Sequence, residues 1–142
     1  MGKIQGIKVV IDTNVVVSGL LFQGVPGRIV SLWQKKAIRP FITQEMIDEY
    51  LKVLAYPKFQ LSGAEIEYVM HQEILPYFEP VTASSDIHIV SADPDDDKFI
   101  HCALAGSVDI IISGDKHLLD LGEYRSISIL QPAQFLQRFN RD

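Results

Sequence analysis

Two apolar stretches of this 142-residue chain lead into an aspartate: Val9-Val10-Ile11 runs into Asp12-Thr13-Asn14, and Ile110-Ile111-Ile112 into Ser113-Gly114-Asp115. Between them, Asp93-Pro94-Asp95-Asp96-Asp97 sets four carboxylates within five residues. A helix N-terminus favours one or two such acids by about 0.3–1 kcal/mol each. Crowding more of them raises their pKa values unless a cation sits among them. Three further acids, Glu45, Asp48 and Glu49, fall in a segment that reads as a helix, and all three qualify chemically. Carboxylate oxygens select hard cations, Mg2+ or Mn2+, over zinc. Such ions share their coordination positions with phosphate oxygens, which suits hydrolysis of a phosphodiester.

Nothing else in the chain competes. It has no phosphate-cradling glycine loop, no Gly-x-Ser-x-Gly nucleophile turn and no paired Cys/His zinc spacing. His71, His88, His101 and His117 are scattered and read as structural or surface residues. Cys102 is the single cysteine, among Phe99, Ile100, Ala103 and Leu104; it allows no internal disulfide and reads as a buried, inert thiol.

The acids need elements to carry them. Ile7–Ile11 is a short β-branched run, as in a buried strand. A helical segment follows, broken at Val25-Pro26-Gly27, with Ile29, Val30, Leu32 and Trp33 on its apolar face. Pro40-Phe41-Ile42 is a second strand, and Thr43 caps a helix over residues 44–55 whose core stripe is Ile47, Tyr50, Leu51 and Leu54. Ser62-Gly63-Ala64-Glu65 has the form of a capping box and opens a helix running to about Leu75. Strands over 87–90, 109–112 and 127–130 alternate with helices over 96–105, 116–121 and 132–139. This alternation predicts one α/β domain over residues 1–142, a three-layer α/β/α sandwich around a mostly parallel sheet of four to five strands. In such a sheet Asp12 and Asp115 stand beyond the carboxyl ends of strands, where ligands bind.

Composition narrows the classes. Hydrophobic residues make up 47% and charged residues 22%, which excludes a disordered or fibrous chain. No apolar run reaches the roughly 18 residues of a membrane span, and the opening MGKIQG lacks the profile of a secretion signal. A cytoplasmic protein is expected. The net charge of −5 argues against holding nucleic acid by bulk positive charge. Two divalent cations in the acidic cluster would cancel most of it.

These residues resemble the PIN-domain family, metal-dependent nucleases that include the VapC-type toxins of toxin–antitoxin pairs. The resemblance covers nearly the whole chain. It comprises the strand ending in Asp12-Thr13-Asn14 and the acidic helix segment Glu45-Met46-Ile47-Asp48-Glu49-Tyr50-Leu51. It continues with Asp93 to Ile100, Ile111 to Leu119, and the closing Ile129-Leu130-Gln131-Pro132-Ala133-Gln134-Phe135-Leu136. The resemblance implies an acidic quartet of Asp12, Glu49, Asp97 and Asp115, with Asp95 as a further contributor. Asp97 is preferred to Asp96 because the family's acid usually stands three residues before the position of Ile100. Asn14 and Ser113 would orient Asp12 and Asp115 by hydrogen bonds.

The function implied is an endoribonuclease using one or two Mg2+ or Mn2+ ions, the toxin of a pair whose small antitoxin inserts a segment into the acidic cleft. A homodimer is implied as well. Lys35, Lys36, Arg39, Lys116 and Arg28 are candidates for phosphate contacts. The rival reading is a PIN fold kept for RNA or protein binding with little catalysis.

Overall fold

The computed structural model describes residues 6–83 and 94–140. The strand expected over residues 87–90, and Asp93, lie outside the described residues.

Strand β1 (Ile7–Ile11) pairs in parallel with β2 (Ile38–Ile42) on one side and β4 (Ile110–Ile112) on the other. Its last three residues are fully buried, as a central strand covered on both faces requires. Beyond β2 lies β3 (Glu79–Pro80), also parallel; beyond β4 lies β6 (Ile127–Leu130), parallel again. Then comes β5 (Glu123–Tyr124), antiparallel to β6. The order is β3-β2-β1-β4-β6-β5. Six strands therefore replace the four to five expected. Two of the six are two-residue edge pairings, too short to leave an alternating pattern in the sequence.

The chain walks outward from β1 to β3, then returns across β1 to β4. That reversal makes the gap between the carboxyl ends of β1 and β4 the topological switch point, where open α/β sheets form their crevice. Right-handed crossovers put the β1-to-β2 helices on one face and the β3-to-β4 helix on the other. The first pair is α1 (Thr13–Leu21) and α2 (Gly24–Gln34); the second connection is α5 (Asp97–Gly106), which packs on β1, β2 and β4. Trp33 of α2, Tyr50 of α3 (Gln44–Leu54) and Phe78 meet edge-to-face on one side of the sheet, with Trp33–Phe78 centroids 5.0 Å apart. Phe99, Ile100, Cys102 and Ala103 of α5 are buried. Burial pushes the Cys102 thiol up to about 12, consistent with an inert core residue.

The α1–α2 break falls at Phe22-Gln23, earlier than the expected Val25-Pro26-Gly27. Pro26 sits in the first turn of α2, where no helical partner for its nitrogen is needed. The two helices meet at 94°, and Gly19 permits the contact: a Cβ there would lie 2.6 Å from the Pro26 carbonyl oxygen. Thr43 caps α3 by accepting from the Met46 amide, as expected. The Ser62 capping box opens α4 (Gly63–Tyr68), which widens into a π-helical turn over Val69–Ile74. The chain closes with α6 (Lys116–Leu121) and α7 (Pro132–Asn140). Among the described residues no single helix is long and apolar enough to cross a membrane.

Candidate metal centre and its cleft

Asp12 leaves β1 and becomes the cap of α1, so one residue both ends the strand and starts the helix. Its backbone amide donates to the Ile112 carbonyl at 3.0 Å, which locks it to the end of β4. Its carboxylate accepts from the Val15 amide at 3.0 Å and from the Ser113 hydroxyl. Only 3% of Asp12 is exposed. Burial raises its pKa most, the nearby charge of Asp115 adds to this, and the bonds from Ser113 and Val15 pull it back. A carboxylate so placed is short of positive charge.

Ser113 links the two strand ends, because its hydroxyl oxygen also accepts from the Asp115 amide at 2.9 Å. Asp115 in turn caps α6, accepting from the amides of His117 at 2.8 Å and Leu118 at 3.3 Å. Asn14 is exposed on the cleft rim, while the Ser113 hydroxyl and the backbone amides of Val15 and Gly114 are the groups bonded to the Asp12 carboxylate.

The third acid arrives from the other face of the sheet. Pro94–Asp96 forms a 3-10 turn leading into α5, and Asp96 is buried with 9% exposure. One oxygen each from Asp96 and Asp115 and one ring nitrogen of His117 all lie within 4.8 Å of one another. Asp95 is exposed and lines the same cleft. The expectation placed Asp97 here, whereas the structure places Asp96. Asp97 is the first residue of α5, half-buried and not among the residues lining the cleft. One residue turns a side chain by about 100° around a helix, so neighbours face different ways.

Glu49 comes from α3. Its carboxylate accepts from the Thr13 hydroxyl and pairs with the Lys98 ammonium at 2.5 Å. The next residue, Tyr50, is fully buried and donates its hydroxyl to the Ile11 carbonyl at 2.9 Å. Residues 49 and 50 thus grip 13 and 11, the neighbours of Asp12 on either side. The buried stripe of α3 is Met46, Tyr50, Val53 and Leu54, with Leu51 39% exposed, so it is rotated from the expected stripe toward Glu49. Glu45 and Asp48 are exposed.

These elements enclose a cleft of about 280 Å³, lined by Asp12, Thr13, Asn14, Glu49, Asp95, Asp96 and Asp115 together with Lys52, Val53, Tyr56 and Phe99. Oxygen donors converging from four elements fit a hard divalent cation, and His117 offers one nitrogen beside them. The expected cations fare less well. Arg39 is in register with Lys8 near the amino end of the sheet and is engaged by Glu79 at 2.7 and 2.9 Å. Lys35 and Lys36 lie in the turn just before β2, also at that end. Lys116 stands beside Asp115 but pairs with Asp120 at 3.0 Å, and Arg28 is an exposed residue of α2. Lys52 lines the cleft itself and Lys98 stands behind it, paired with Glu49; neither is among the cations expected from the sequence. Lys52 had a legible signal, since it lies three residues after Glu49 on one helix. Lys98 had none, because its contact with Glu49 spans 49 residues.

A family model described as PIN domain matches residues 8–117. The chain is 31% identical over 153 residues to the uncharacterized protein MJ1680 of Methanocaldococcus jannaschii, covering 99% of this chain and 96% of that one. FitAcB from Neisseria gonorrhoeae superposes with a TM-score of 0.58 at 17% identity, over 88% of this chain and 98% of that one. VapBC2 from Rickettsia felis, bound to a DNA fragment from their promoter, gives 0.56 at 10% identity, over 88% and 98%. The two superpositions show a shared fold.

Proposed function

The chain belongs to the PIN-domain family, and from that premise we propose that it is a divalent-metal-dependent endoribonuclease, the toxin of a toxin–antitoxin pair. The observation that carries the reading is the meeting of Asp12, Asp96 and Asp115, with Glu49 beside them, at the switch point between β1 and β4. Asp12, Asp96 and Asp115 would hold one or two Mg2+ or Mn2+ ions, Asp96 in the place expected for Asp97, and Asp95 would supply a further oxygen at the rim. Bound ions supply positive charge against the negative charge that develops on the phosphate and the leaving oxygen.

The chain's own residues do the rest. Ser113 holds the Asp12 and Asp115 ends at one spacing. Glu49, fixed by Thr13 and Lys98, is positioned to accept a proton from the attacking water. Lys52 at the cleft wall and Lys116 beside Asp115 are the cations for backbone phosphates, while Lys35, Lys36 and Arg39 sit at the far end of the sheet. The chain acts as one nuclease domain over residues 1–142. A small antitoxin, a second copy of the chain and a cytoplasmic RNA are the partners this reading implies; the fold shared with VapBC2 supports the antitoxin.

The test is cleavage of single-stranded RNA in Mn2+ by the wild-type chain and by Asp12→Asn, with growth on expression compared in parallel. Cleavage that stops in EDTA and in the variant is expected. Undiminished cleavage by Asp12→Asn would overturn the assignment.

A further inference from the structure

One wall of the cleft carries an unbroken helical row. Glu49, Lys52, Val53 and Tyr56 all line it, at the i, i+3, i+4, i+7 spacing of a single helix face. The α-helix ends at Leu54, yet the Tyr56 amide still donates back to the Val53 carbonyl at 3.0 Å, which keeps Tyr56 on that face. The row therefore leads from the acid beside the metal centre, through a cation, to an aromatic ring. Its rise is about 10 Å, that of roughly three stacked nucleotides.

Tyr56 does not stand alone. Its ring stacks on Phe59, with an interplanar angle of 5° and centroids 6.5 Å apart, and Phe22 packs tilted on Phe59 at 5.8 Å. Phe59 is half-buried against the core, so the stack is anchored. Tyr56 remains 41% exposed and Phe22 68% exposed, among the few large apolar side chains that are. Lys58 lies over the Phe59 ring at 5.2 Å, and neither Lys52 nor Lys58 is in an ion pair among the described residues. Exposed rings flanked by unpaired cations, continuous with an acidic centre, are the two halves that single-stranded nucleic acid needs: a face for bases and charge for phosphates.

We infer that Tyr56, stacked on Phe59 and flanked by Lys52 and Lys58, is a base-stacking platform that holds an unpaired nucleotide of single-stranded RNA beside the metal centre. The inference rests on the nuclease reading and names the strandedness of its substrate. The platform selects unpaired bases because a base inside a duplex has its faces occupied. It is tolerant of sequence, because every base has a π-face.

The test compares the wild-type chain with Tyr56→Ala and Tyr56→Phe, each checked for folding by thermal melting. Two readouts are taken: kcat and KM on a short single-stranded RNA in Mn2+, and quenching of a 2-aminopurine base in that RNA, measured in Ca2+. In Tyr56→Ala, KM rises about ten- to a hundredfold with kcat changing far less, and quenching is lost. Tyr56→Phe restores both, since the ring and not the hydroxyl does the stacking. A Tyr56→Ala chain that matches wild type in KM and quenching overturns the platform while leaving EDTA-sensitive cleavage, and so the nuclease reading, intact. Quenching by a wild-type chain that cleaves nothing keeps the platform and removes the nuclease. Loss of affinity that follows only the conversion of dimer to monomer on gel filtration assigns the patch to self-association and overturns the proposal.

Discussion

Glu49 on α3 and Lys98 on α5 form an ion pair of 2.5 Å at the cleft, with Lys98 only 8% exposed and the Glu49 side chain 27% exposed. The pair ties together helices from two different connections of the sheet. It also leaves Glu49 held on both oxygens, by Lys98 and by Thr13. Replacing Lys98 with Met keeps the stem's packing and removes the charge. A half-buried carboxylate then loses its cation, at a cost of about 1–3 kcal/mol. Urea denaturation of Lys98→Met should show that loss.

Asp96 and Asp97 can be told apart directly. Asp96→Asn should lower cleavage about a hundredfold or more, as loss of a group acting at the developing charge does. Asp97→Asn should keep most of the activity. RNA cleavage by the two variants at matched metal concentration decides between them, and equal loss in both would contradict the geometry.

Burial raises the Asp12 pKa above its usual value of 3.8, so the folded chain holds this proton more tightly than the unfolded chain. Below the usual value both states are protonated and the group contributes nothing. As pH rises past it, the unfolded state ionises first, and the metal-free protein loses stability until the folded carboxyl ionises too. Thermal melts in EDTA should show this loss with rising pH in wild type and not in Asp12→Asn. The variant should melt higher at neutral pH and gain less from added Mn2+.

His117 places a ring nitrogen among the oxygens of Asp96 and Asp115. A nitrogen donor suits Mn2+ better than Mg2+. Calorimetry should find His117→Ala weakened toward Mn2+ by about tenfold, with Mg2+ binding little changed.

Gly19 lies where α1 crosses α2. Alanine would gain about 1 kcal/mol of helix propensity. Its Cβ, however, would lie 2.6 Å from both the Pro26 carbonyl oxygen and a Val30 methyl, and one of those neighbours is backbone. Overpacking of that kind costs about 1–3 kcal/mol. Gly19→Ala should therefore lower the melting temperature despite the better helix former.

Much of the scaffold was legible because its signals are local. The β-branched run at Ile7–Ile11, the Thr43 cap and the Ser62–Glu65 box each depend on residues a few positions apart, and each has its expected form. The two-residue strands at Glu79–Pro80 and Glu123–Tyr124 had no pattern to show, since their existence depends on partners elsewhere in the sheet. The α3 stripe was misaligned for a related reason. Ile47, Leu51, Met46 and Val53 are all apolar enough to be core, and packing chose Met46 and Val53. The basic candidates went astray because Lys35, Lys36 and Arg39 are clustered in sequence but lie before β2, where a parallel sheet puts them opposite its carboxyl edge.

By itself the sequence determined that acids would gather beyond the strand ends. Asp12 and Asp115 follow apolar runs directly, and parallel strands bring such ends to one edge. Tertiary structure decided which carboxylates face one another. Asp96 and Asp97 are chemically the same and adjacent, and only the turn into α5 directs one of them inward. It decided as well that Lys98 neutralises Glu49 and that Tyr56 continues the wall beyond it. Those contacts join residues far apart in the chain or across a helix end, and folding alone brings them within range.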